Sequence, residues 1–263
     1  MVRMVSPFAI PPLSPTSRSE TIDFAGAHLC SSSTFGKEMK NIQTCYWCGA
    51  ESVSDDHVPP KSFFPKDRRV DLIKVPACKK HNEEFSKLDE KFRLFFQMSA
   101  DNKIALKEFK NKTLRGLKRK EATGFRKALA KSAAPMILNG RKATSFEVDT
   151  DEMNVFSEKI LRGLYFHHYK EIFDGVVNSA CTHIHSVGFD IRPTIEMFVE
   201  FRQDLEKGST KNEEVFKYEC GRVTENGMTA FAMICTFYET VTIFGLGIPT
   251  EALEAEPGES GNG

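Results

Sequence analysis

Between residues 45 and 92 the chain carries two close pairs of soft metal ligands, Cys45/Cys48 and Cys78/His81, with an Asp56-His57 dipeptide between them and Asn82 directly after the second pair. A Cys-x-x-Cys knuckle presents two thiolates to one tetrahedral zinc from a tight turn, and a second knuckle later in the chain closes the site. Four protein ligands leave no open coordination position, so a metal held this way staples the chain and does no chemistry itself. The groups between the knuckles are harder. Asp56 offers a carboxylate oxygen and Asn82 an amide oxygen, and oxygen ligands suit Mg2+ or Mn2+, which can stabilise a developing phosphate oxyanion. His57, an imidazole that titrates near neutrality, can take a proton from attacking water. These are the parts of a phosphodiester hydrolase.

The ordered set Cys-x-x-Cys, Asp-His, Cys-x-x-His-Asn resembles the His-Asn-His (HNH) endonucleases of ββα-metal fold, in their zinc-stabilised branch. The string DHVPPKSFF from Asp56 to Phe64 is similar to the strand-to-loop passage that follows the base in that family. The resemblance implies that Cys45, Cys48, Cys78 and His81 bind one structural zinc. It implies further that Asp56 and Asn82 bind a catalytic Mg2+ or Mn2+, with His57 as general base. Cleavage of nucleic acid, DNA in preference to RNA, would leave a 5′-phosphate. The match spans residues 42–95, about a fifth of the chain. It departs from the family at His81, where cysteine is commoner, and in lacking the asparagine between base and second knuckle; Asp71 stands nearest that place. The competing reading is a non-catalytic zinc-dependent module that binds nucleic acid or a protein. Stapling requires only the four knuckle residues and gives no reason for Asp56, His57 and Asn82. Restriction, phage defence, toxin and mobile-element proteins all use the HNH module, so the resemblance leaves the biological role open.

The elements around these residues follow from pattern. Cys45–Val53 is expected as the first knuckle and its strand, with Tyr46 and Trp47 as packing residues, and Asp55–Val58 as the strand bearing the base. Val58-Pro59-Pro60 enforces extended backbone. Lys61, Lys66, Arg68 and Arg69 then reach a loop tip, placed for phosphate contacts or for solvent. Phe85, Leu88, Phe92, Phe95 and Phe96 recur at helical spacing, predicting a helix from about Asn82 to Ser99 with Asn82 in its first turn.

Beyond it the composition changes. Residues 101–142 hold thirteen Lys/Arg against three acids. Two helices are expected there, one up to Lys120 and one from Gly124 to Ala134. Lys118, Arg119, Lys120, Arg126 and Lys127, with Lys61, are the candidate nucleic-acid contacts, because a basic helical pair beside a nuclease motif is an electrostatic footprint for a polyanion. A strand over 144–150 precedes a helix capped by Thr150 that runs to about Tyr169. His183 and His185 alternate on one strand face without an evident third ligand. A helix over Thr194–Lys207 and strands at Val215–Glu219 and Met228–Leu246 complete the pattern.

The whole chain, at 263 residues with a formal net charge of zero, is long enough for a substantial core and is no wholesale polyanion binder. Seven cysteines, an odd number with three in the knuckles, point to a reducing compartment and not to a disulfide framework. No apolar run has the length of a membrane span, and the expected location is the cytoplasm. The expected class is α+β: a zinc-stapled ββα-metal nuclease module followed by helices and a small antiparallel C-terminal sheet. The divisions are a Pro- and Ser-rich disordered leader at 1–38, the nuclease module at 39–99, a basic helical segment at 100–142, an α+β region at 143–249, and an acidic disordered tail at 250–263. Nucleic acid is the expected partner, no membrane is expected, and a protein partner stays open.

Overall fold

The computed structural model describes residues 2–5, 43–138, 141–182, 184–186 and 192–254. The expectations for the bulk of the leader, for His183 and for most of the tail lie outside these residues.

The knuckle region forms a two-stranded antiparallel ribbon, β2 (Ser54–His57) and β3 (Lys74–Ala77), followed by helix α1 (Lys79–Glu83) and helix α2 (Ser86–Ser99). The expected single helix is therefore broken at Glu84 and Phe85, and Asn82 sits near the end of α1 and not in a first turn. The break has a packing cause. It lets the Phe85 ring stack on Trp47 at 5.4 Å while His81 turns toward the knuckle. The segment after Cys45 is a turn closed by an isolated Thr44–Glu51 bridge, without the expected strand.

The basic region is a short helix α3 (Lys103–Glu108), a π-helical turn (Phe109–Thr113), α4 (Leu114–Leu117) and α5 (Thr123–Ser132). Strands β4 (Ala134–Leu138) and β5 (Arg141–Val148) lead into the long helix α6 (Thr150–Tyr169). Its cap is Asp149, whose carboxylate accepts the amides of Asp151 and Glu152; Thr150 is already helical, one place past the expected cap. Strands β6 (Gly175–Cys181) and β7 (Ile184–Ser186), helix α7 (Arg192–Phe201), strands β8 (Glu206–Lys207), β9 (Phe216–Glu225), β10 (Met228–Phe237) and β11 (Val241–Pro249), and helix α8 (Thr250–Glu254) follow. The run expected as strand over 228–246 forms β10 and the first part of β11, with the chain reversing between them at Tyr238 and Glu239, both at positive φ.

The antiparallel C-terminal sheet is present and larger than expected. Nine strands hydrogen-bond in the order β4-β5-β1-β7-β6-β11-β10-β9-β8, every pair antiparallel, among the described residues. Its β1 is Val2–Val5, paired with β5 and β7, so four residues of the expected disordered leader lie within the sheet. Backbone pairing between distant segments is invisible to local pattern, which explains that correction. Residues 250–254 are likewise helical where a disordered tail is expected. No helix among the described residues is long and apolar enough to cross a membrane.

One apolar core runs from Cys45 to Ile243. Phe63, Phe92, Phe96 and Phe156 meet Phe237 from the sheet, with Phe92 stacked on Phe156 at 4.8 Å and Phe96 edge-on to Phe237 at 5.0 Å. Helix α6 packs on both the ribbon, at β3, and the sheet, at β6 and β11. Its Gly163 leaves no room for a side chain, since an added Cβ would lie 2.6 Å from Val58 Cγ2. Gly163→Ala gains about 1 kcal/mol of helix propensity but overpacks the buried Val58, a cost of about 1–3 kcal/mol. A net loss of stability is expected, read as a lower denaturant midpoint with unchanged slope.

Candidate metal centre and active site

The first knuckle is a tight turn. The amide of Cys45 donates to Ala50 O at 2.7 Å and that of Gly49 to Cys45 O at 3.0 Å, with Gly49 at φ +70, where a side chain would be strained. Tyr46 N donates to Pro76 O at 2.8 Å, which ties this turn to β3 and so to the second knuckle. As a result Cys45 Sγ, Cys48 Sγ, Cys78 Sγ and a ring nitrogen of His81 all lie within 4.8 Å of one another. Cys48 Sγ is 3.8 Å from Cys78 Sγ, and His81 Nδ1 is 3.4 Å from the sulfurs of Cys45 and Cys78. A tetrahedron with Zn–S of about 2.3 Å and Zn–N of about 2.0–2.1 Å has edges of about 3.8 Å between sulfurs and about 3.5 Å from sulfur to nitrogen. The cluster fits a metal ion such as zinc. Burial first, and then Lys80, lowers the pKa of His81, favouring the neutral ring that a metal needs. Trp47 lies parallel to the His81 ring at 4.9 Å and fixes its plane. Above Trp47, 5.6 Å away, sits the guanidinium of Arg162 on α6, which also donates to Phe173 O and Gly175 O at 2.7 Å. The knuckle is thereby tied to the start of β6. Tyr46 is buried, so both aromatic residues of the knuckle pack.

The Asp56-His57 pair behaves differently from the four knuckle residues. Alternation along β2 sends the two side chains to opposite faces. Asp56 points inward and is 6% exposed, toward α6. There its Oδ2 lies 3.2 Å from Lys159 Nζ, while Oδ1 accepts the backbone amide of His57 at 2.8 Å. Lys159 is fully buried and also donates to Asp89 Oδ2 at 2.8 Å, with its ammonium 5.3 Å over the Phe85 ring. Burial pushes the Asp56 carboxyl up against the pull of Lys159, and the same balance, with Asp56 adding its charge, pushes Asp89 up to about 6. Asn82 donates to Ser54 Oγ at 2.6 Å and, at 3.5 Å, to Asp55 O. Sequence reasoning found Asp56 but missed Lys159 and Asp89. The available signal was a lysine three residues after Phe156 and next to Ile160, on the apolar face of the expected helix.

This arrangement does not fit a divalent ion shared by Asp56 and Asn82 beside His57. The ammonium of Lys159 takes the cation's place at Asp56, on the face of β2 away from His57.

On the other face, His57 stands directly across the ribbon from Lys74. Burial first, then the charges of Lys61 and Lys74, and more weakly Arg69, lower the His57 pKa, opposed by Asp55. Lys61 opens a 3-10 turn (Lys61–Phe63), and Arg69 is steadied by donating Nε–H to Phe64 O at 3.1 Å. Lys74 and Pro76 also line an open cleft of about 780 Å3 together with Phe166, His167 and Lys170. The chain thus presents a half-buried, neutral-leaning imidazole opposite Lys74, with the charges of Lys61 and Arg69 outweighing that of Asp55. Asp71 is engaged elsewhere, in an ion pair with Lys211, and Arg68 pairs with Glu214. Of the other candidate contacts, Lys118, Arg119 and Lys120 are exposed between α4 and α5, and Arg126 and Lys127 are exposed on α5, which packs on β5. Arg126 donates to Leu117 O at 2.7 Å.

No family model matches the chain, and no curated protein or solved structure matches it either.

Proposed function

We propose that the stapled ribbon carries a phosphodiester-cleaving site acting on nucleic acid, with His57 as general base. The observation that carries this reading is the setting of His57, opposite Lys74 and facing Lys61 and Arg69, on the half-buried face of a ribbon held by the Cys3His cluster. A phosphate drawn to these cations would sit beside an imidazole that is mostly neutral at pH 7. His57 then takes a proton from water as its oxygen bonds to phosphorus. The bond from phosphorus to the leaving 3′-oxygen breaks, that oxygen takes a proton from solvent water, and the cations offset the charge that builds on the equatorial oxygens. A zinc held by Cys45, Cys48, Cys78 and His81 would fix the ribbon's geometry and take no part in the reaction. A catalytic Mg2+ or Mn2+ on Asp56 and Asn82 would require Lys159 to release Asp56.

The second reading, a zinc-dependent binding module without catalysis, is favoured by one observation: Asp56 is committed to a buried ion pair. The two separate on a pH–rate profile for cleavage of a labelled oligonucleotide. Only neutral imidazole accepts the proton, so the rate should rise with pH. Because the folded-state pKa of His57 is lowered, the half-maximal rate should fall below pH of about 6.5, the ordinary histidine value. His57→Ala should lose that rise. A flat profile for the wild type, or an unchanged rise in His57→Ala, would remove His57 from the reaction.

A further inference from the structure

The π-helical turn Phe109–Thr113 is tied to the ribbon's loop by a buried relay of polar groups. Arg93 on α2 donates to Thr113 Oγ1 at 3.0 Å, and Thr113 donates to Gln97 Oε1 at 2.6 Å. Gln97 donates to Tyr238 OH at 3.4 Å, and Tyr238 donates to Phe63 O at 2.7 Å. The relay ends in the turn that begins with Lys61, and it starts beneath Lys112, the neighbour of Thr113. Two short irregular segments from distant parts of the chain are therefore held in a fixed relation. Such π-turns cost regular helical hydrogen bonding and recur at functional sites.

What this relay positions is positive charge. The relay brings Lys112 near the loop that carries Lys66 and Arg69, and Arg69 is held on that loop by Phe64 O; burial first, then the charges of Arg93, Arg69 and Lys66, lower the pKa of Lys112, opposed by Glu108. Among the described residues no cation from Lys103 to Lys131 stands in an ion pair, nor do Lys61, Lys66, Arg69 or Lys74. Beneath them Arg93 is only 5% exposed, its Nε has no hydrogen-bond partner, and its nearest carboxylate is the exposed Glu90 at 3.6 Å. Facing cations destabilise a fold, and burying a guanidinium under them adds to the cost. A polyanion laid along them would recover it.

We propose that Lys61, Arg69, Lys66 and Lys112 form one continuous track for a phosphodiester backbone, leading from His57 to the π-helical turn, and that its ligand is a nucleic-acid strand. The proposal rests on the His57 reading only for where the scissile phosphate lies. It adds Lys66, Arg69 and Lys112 to the contacts and makes the ribbon loop and α3–α4 a single surface. Phosphate contacts position a strand and carry no sequence information, so the track would be indifferent to sequence.

The test is binding of labelled twenty-nucleotide single-stranded DNA, single-stranded RNA and duplex DNA across a salt series, in a His57→Ala background so that nothing is cut. Lys66→Gln/Lys112→Gln changes two exposed side chains that make no structural hydrogen bond and should melt no lower than its parent. Each lost contact should reduce the slope of log K against log salt by about 0.7 on a single strand or about 0.9 on duplex. The double variant should therefore bind less tightly, with a slope shallower by about 1.4 or about 1.8. Whichever strand type shows the larger change is the one the track takes. An unchanged slope on all three, or no binding by the parent to any, would overturn the track. Cleavage by the wild type together with an unchanged slope would overturn the track and leave the His57 reading standing. A shallower slope without cleavage would establish the track and remove the His57 reading.

Discussion

Cys45→Ala or Cys78→Ala is expected to abolish metal binding and to leave little soluble, folded protein. Cys45 is fully buried, and the backbone ties of its turn are few: three hydrogen bonds close it, from Cys45 N to Ala50 O, Gly49 N to Cys45 O and Ser52 N to Gln43 O, and one joins Tyr46 to Pro76. Structural zinc contributes about 10–16 kcal/mol of apparent binding energy in small zinc modules, against a total stability of about 5–15 kcal/mol for a typical domain. The cluster also sits in the same core as the sheet, through Tyr46, Ala77 and Phe92, so its loss would not stay local. Cys48 is exposed, and Cys48→Ala should weaken metal affinity with a milder effect on folding. Elemental analysis should give one zinc per wild-type chain and none for the two severe variants. A metal-free protein that is soluble and melts cooperatively would show that the cluster is no metal site.

The second large effect should come from Lys159. Its ammonium is wholly buried between Asp56 and Asp89, and two carboxylates already pushed up by burial depend on it. Lys159→Met keeps the volume and removes the charge. Breaking a buried ion pair from one side costs about 3–5 kcal/mol, which for a chain of this size lowers Tm on the order of 10 °C. Adding Asp56→Asn and Asp89→Asn should restore most of the loss, because no uncompensated charge remains. If Lys159→Met melts with the wild type, the triad is not a working ion pair and Asp56 is free for another cation.

The cluster of Cys45, Cys48, Cys78 and His81, which could hold a metal ion such as zinc, was legible in the sequence because a knuckle is a local object: four residues at fixed spacing close one site wherever the turns allow it. The strand of His57, the long helix α6 and the antiparallel character of the C-terminal sheet were legible for a similar reason, through alternation and helical period. What could not be read was which distant group each residue meets. Nothing near Asp56 announces Lys159, about a hundred residues on, and nothing in Val2–Val5 announces its pairing with Val148 or Ser186. Pleat alternation does separate Asp56 from His57, and it could have been applied to the sequence. The family resemblance, which assigns both residues to one catalytic centre, pointed the other way. The break between Glu83 and Ser86 could not be read either. Local period runs straight through it, and only the stacked Trp47, His81 and Phe85 rings account for it.

The most direct test of the central claim is nicking of supercoiled plasmid by zinc-loaded wild type and His57→Ala, side by side at pH of about 7.5, above the ordinary histidine pKa. The wild type should cut and His57→Ala should cut slower by about 10²–10⁴-fold, while both hold one zinc and bind an oligonucleotide alike. Equal cutting by the two proteins, or none by either, would contradict that claim.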